Sequence, residues 1–123
     1  MTQDRPTAPE LVQAVREFLE HDVMTTSTDK RVQFHARVAA NALGMVEREL
    51  ADGGALDAAE RARAAGLLGY DEDVRILERD LAARIRDGSL DDRLDAVREH
   101  VRATVYEKLL VANPGYLSAD PSA

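Results

Sequence analysis

Lys30-Arg-Val-Gln-Phe-His-Ala-Arg-Val-Ala-Ala-Asn-Ala-Leu-Gly-Met-Val-Glu-Arg-Glu-Leu-Ala51 is the stretch that decides the fold. At 3.6 residues per turn, Val32, Phe34, Ala36, Val38, Ala39, Ala42, Leu43, Met45, Val46 and Leu50 spread over about two thirds of a helical circumference. Gln33, Arg37, Asn41, Gly44 and Arg48 are left as a narrow polar strip. A helix apolar on most sides is one expected to be covered on most sides, so this segment reads as the central, second helix of a bundle. Arg31 and His35 lie one turn apart inside the apolar arc, where the pattern asks for hydrocarbon, and they are the polar anomaly of the sequence.

On the N-terminal side, Thr7-Ala-Pro-Glu10 has the spacing of a capping box, with Pro9 in a first turn that needs no amide donor. Leu11, Val12, Val15, Phe18, Leu19 and Val23 then follow the helical period to about Met24. Residues 25–28, Thr-Thr-Ser-Thr, form a polar turn, and Asp29 can cap the second helix. Asp52-Gly53-Gly54 is expected to end it. Leu56 to Leu68 reads as a short, alanine-rich third helix closed by Gly69. Asp71-Glu72-Asp73 opens a fourth, with Val74, Leu77, Leu81 and Ile85 as its stripe, Arg84 and Arg86 near its negative end, and Asp87-Gly88 as its stop. A fifth runs from Asp91 through Leu94, Val97, Val101, Val105 and Leu109 to Asn113-Pro114-Gly115.

These spacings predict an all-α, single-domain bundle of about five helices: a flexible N-terminus at 1–6, the bundle at 7–113 and a loose tail at 114–123. The composition agrees. Only 4% of the 123 residues are aromatic and none is Trp, so the core must be built from Leu, Val, Ala, Ile and Met, which favours helix packing over a sheet.

Several chemistries are excluded at this level. Without cysteine there is no disulfide framework, thiolate nucleophile or Cys-based zinc site. His21, His35 and His100 are isolated from one another, and no Glu-x-x-His pair is present, so no metal is expected. Asp71-Glu72-Asp73 lacks the ligand spread of a calcium loop and reads as a helix start. No phosphate loop, nucleophile elbow or kinase motif occurs, and nothing calls for a cofactor. A net charge of −7 disfavours nucleic acid and anionic membranes, and no stretch is long and apolar enough for a transmembrane helix; cytoplasmic residence is the expectation.

The candidate interaction or pocket residues are Arg31, Phe34, His35, Arg37, Asn41 and Tyr106. Arg31 and His35 admit two readings: an anion-recognising or acid–base pair in a pocket, or a pair packed against carboxylates of other helices. Asn41 can bridge helices. Tyr106 and Leu110 form a second apolar side of the fifth helix, suited to docking or to covering a neighbouring helix.

Arg5 to Glu20, Phe34-His-Ala-Arg-Val-Ala-Ala-Asn-Ala-Leu43, Arg84-Ile-Arg-Asp-Gly88 and Leu109 to Pro114 together resemble the DUF6285 family of small bacterial helical proteins, over about residues 5–116. The resemblance implies a companion of kinases of the aminoglycoside-phosphotransferase fold, found together with acyl-CoA dehydrogenases. The implied role is a non-catalytic accessory subunit of a kinase acting on hydroxyacyl-CoA in short-chain acid catabolism, levulinate breakdown being the type. No catalytic residue is carried over by it; Phe34, His35, Arg37 and Asn41 lie in its most specific segment. The other readings of the residues are a bundle that binds a small anion or acyl-CoA, and a self-associating structural domain that forms a homodimer.

Overall fold

The starts of α-helices at residues 8, 30 and 74 in the computed structural model, which describes residues 5–118, fall where the sequence supplies caps. The Thr7 hydroxyl accepts from the Glu10 amide at 3.3 Å, and the Glu10 carboxylate accepts from the Thr7 amide at 3.4 Å, which opens α1 (Ala8–Glu17). The chain then widens without a break into a π-helical segment, Phe18–Val23, closed by a bond from the Met24 amide to the Leu19 carbonyl. Asp29 accepts from the Arg31 amide at 2.9 Å at the start of α2 (Lys30–Leu68). Asp73 does the same for Arg75 at 3.0 Å before α3 (Val74–Asp87). A 3₁₀ turn, Asp91–Arg93, leads into α4 (Leu94–Ala112), and α5 (Pro114–Ser118) follows. Gly69 and Gly88 take the left-handed conformation, φ 86° and 82°, that stops α2 and α3. No strand occurs among the described residues; the molecule is all-α.

Three expectations need correction. Asp52-Gly53-Gly54 does not end a helix: α2 runs on for 39 residues, so the expected second and third helices are one element. Two interior glycines cost about 1 kcal/mol each relative to alanine. The flanking Glu49-Leu50-Ala51 and Ala55-Leu56 are good helix formers, and no proline follows to forbid continuation. Second, Asn113-Pro114-Gly115 is not followed by irregular chain, because Pro114 occupies the first position of α5, where its missing amide costs nothing. The rest of the expected tail, and residues 1–4 of the expected flexible N-terminus, lie outside the described residues. Third, residues 30–51 are not covered on most sides. Of the apolar arc only Ala36 is buried, with Ala40 beside the arc buried too, while Phe34, Val38 and Met45 are 58%, 51% and 40% exposed.

The chain divides into two compact units, 1–53 and 54–123, with the boundary inside α2. In the first, α1 and the first half of α2 are tied by Arg16, whose guanidinium pairs with Glu20 of the π-helical segment and with Glu47 on α2. In the second, Ala64, Leu67 and Leu68 of α2 meet Leu77 and Leu81 of α3, with Leu90 and Val97 completing the core. Leu77 is wholly buried, which contributes about 1.5–3 kcal/mol relative to an exposed side chain.

Candidate functional site

Arg31, Phe34, His35, Arg37 and Asn41 all lie on the first half of α2, and all five are exposed. Arg31 and His35 therefore do not sit in an apolar interior. The side chains around them are apolar, yet no layer covers that side of the helix. The His35 ring stands edge-on to Phe34, with centroids 5.5 Å apart and planes at 74°. Tyr106 belongs to the other unit, exposed on α4, and is not brought together with the rest.

Two apolar surfaces result in the first unit. One is a shoulder made by Leu11 and Val15 of α1 and Phe18 at the start of the π-helical segment, with Val46 and Leu50 of α2 also exposed. The other is a stripe along α2, Phe34, Val38 and Met45, at spacings of four and seven residues on one helical face. Its flanks are basic. Segment 30–46 holds Lys30, Arg31 and Arg37 and no Asp or Glu, in a chain with 23 acidic side chains. None of those three cations makes an ion pair among the described residues.

The polar anomaly of the interior is elsewhere. His100 on α4, only 3% exposed, is the buried polar side chain of the second unit. Its Nε2 lies 2.7 Å from Glu78 on α3, and its Nδ1 accepts from Arg63 Nε on α2 at 3.3 Å, an arrangement that puts the ring proton on Nε2. The Arg63 fork then clamps both oxygens of Glu107 at 2.8 Å and reaches Thr104 Oγ1 at 3.3 Å. That guanidinium holds the Glu107 carboxyl below its ordinary range. Burial, together with the charge and hydrogen bond of Glu78, pushes Glu60 the other way. Beside this cluster an open groove of about 420 Å³ is lined by Gly66, Leu67, Ala96 and Ala103 together with Arg63, Glu99 and His100.

Sequence inspection missed this cluster, although a signal existed: Val97, His100, Thr104 and Glu107 recur at three and four residues on one face of α4, a polar line continuing an apolar one. Chemically the cluster is closed. Each fork nitrogen and each imidazole nitrogen is engaged, and among the described residues no buried side-chain polar atom lacks a partner. It ties three helices together. Nor do three or more His, Asp or Glu side chains among the described residues stand where they could hold a metal ion, and no described helix is long and apolar enough to cross a membrane.

Fold and surface together define an all-α domain with a closed polar cluster in the second unit and large apolar side chains left exposed in both, Ile85, Leu94, Val101 and Val105 of the expected stripes among them. The chain belongs to the DUF6285 family, a domain of unknown function, whose family model matches residues 26–116. No curated protein and no solved structure matches the chain.

Proposed function

We propose that this chain is a non-catalytic, cytoplasmic accessory subunit of a phosphotransferase-type kinase acting on hydroxyacyl-CoA in short-chain acid catabolism. The observation that carries the binding role is the exposed apolar surface of the first unit, where eight large side chains of α1, the π-helical segment and α2 (Leu11, Val15, Phe18, Phe34, Val38, Met45, Val46 and Leu50) stand 40% or more exposed. A surface of that kind is costly to leave in water and is usual where another protein docks. The kinase partner and its substrate class rest on the family resemblance alone. The closed hydrogen bonding of the His100 cluster supports a structural role for the titratable side chains most deeply placed, which favours binding over catalysis.

Reconstitution tests the reading. The neighbouring phosphotransferase-like protein, assayed for ATP-dependent phosphorylation of a 4-hydroxyacyl-CoA, is expected to be active only with this chain present. Equal activity without it overturns the proposal. The groove beside Arg63 would then favour a second reading, a small-anion or acyl-CoA-binding bundle.

A further inference from the structure

We infer that the Phe34–Val38–Met45 stripe of α2 is the seat of an amphipathic partner helix with acidic edges. This rests on the accessory-subunit reading and specifies the chemistry of its contact. Phe34 and Met45 are eleven residues apart, about 16 Å along the axis, which is three turns and the span over which a helix in a groove or on a face places its i, i+4, i+7 and i+11 anchors. Arg31 borders the stripe on one side, Lys30 and Arg37 on the other. Among the described residues none of these cations pairs with a carboxylate, and no Asp or Glu occurs between residues 30 and 46. An apolar ridge between two unpaired basic rails is complementary to an apolar ridge between two acidic rails.

The same charges decide against other occupants. A second copy applied by the same face would bring its Arg31 and Arg37 against those of the first. An anionic bilayer would meet the rails favourably, but the whole chain carries −7 and is repelled.

The probe is a designed helical peptide of about 18 residues with leucines at i, i+4, i+7 and i+11 and glutamates beside them, paired with a version carrying lysines instead. Anisotropy titration with the full chain is expected to show the glutamate peptide binding at least about tenfold tighter. Arg31→Glu with Arg37→Glu reverses that preference, and Val38→Asp abolishes binding of both peptides. Both sets of substitutions lie on exposed positions, and circular dichroism checks that the helices remain. Binding indifferent to peptide charge overturns the inference. So does binding confined to vesicles of phosphatidylserine, or a concentration-dependent dimer that the double variant abolishes.

Kinase reconstitution with the double variant separates this inference from the reading beneath it. Stimulation by the natural chain and loss with the variant supports both. Stimulation kept by the variant leaves the accessory role standing and overturns the assignment of the stripe to the kinase. A kinase indifferent to the natural chain removes the accessory role, and the peptide preference is decided by the titration alone.

Discussion

Glu60 and Glu107 sit on the two sides of one Arg63–His100 cluster and respond to pH in opposite directions. Glu60 is raised in the folded state, so its protonated form is the one the fold favours; stability from it is present at low pH and is lost as pH rises through its folded value. Glu107 is lowered, so its contribution is present above the ordinary carboxylate range and is lost as pH falls. Glu60→Gln keeps a donor toward Glu78 without the charge. It is expected to raise the melting temperature at pH 8, by the equivalent of about 1 kcal/mol, and to leave it nearly unchanged at pH 4.5. Glu107→Gln is expected to cost about 1–3 kcal/mol at pH 7 and to flatten the acid side of the stability profile. Thermal melts across pH 4 to 9 check both, and a gain of Glu60→Gln over the natural chain no larger at pH 8 than at pH 4.5 would contradict this assignment. None of this could be read from composition: Arg63, Glu78 and His100 come from three helices, and only their packing makes neighbours of residues 22 and 37 positions apart in sequence.

At the scale of elements, starts were more legible than stops. Thr7, Asp29 and Asp73 each cap a helix as their side-chain chemistry requires, and Gly69 and Gly88 each close one with positive φ. Gly53-Gly54 carries the same letters and does the opposite, because a glycine permits a left-handed turn without demanding it. The two positions differ in their surroundings. The Glu49 carboxylate lies where a Gly53 Cβ would project, whereas nothing stands within 4 Å of one at Gly54. Gly54→Ala is therefore expected to stabilise the chain by up to about 1 kcal/mol. Gly69→Ala, forced into φ near 86°, is expected to destabilise it by a similar amount. Denaturant titration of both variants measures this; a loss of stability in Gly54→Ala would mean that α2 is interrupted there after all.

For the molecule as a whole, hydrophobic periodicity located the apolar arc of residues 30–51 and could not say what would cover it. A pattern written for a core and one written for a partner obey the same 3.6-residue repeat, which is why Phe34 and Val38 read as interior and are exposed. The candidate site was thus legible as a set of residues and illegible as a surface. Because these side chains face water, exchanging Leu11 and Phe18 for serine is expected to change stability by no more than about 0.5 kcal/mol each. Where the contact extends from the stripe onto the shoulder, the pair of changes weakens the complex by tenfold or more, measured by calorimetry. An unaltered affinity would confine the contact to the α2 stripe. The second unit offers the contrasting property. The His100 imidazole proton is enclosed between α2, α3 and α4 and bonded to Glu78. Such a proton exchanges slowly with solvent and resonates far downfield of the amide envelope, so a single line in a one-dimensional spectrum reports whether those three helices are assembled, with no label and no knowledge of the ligand.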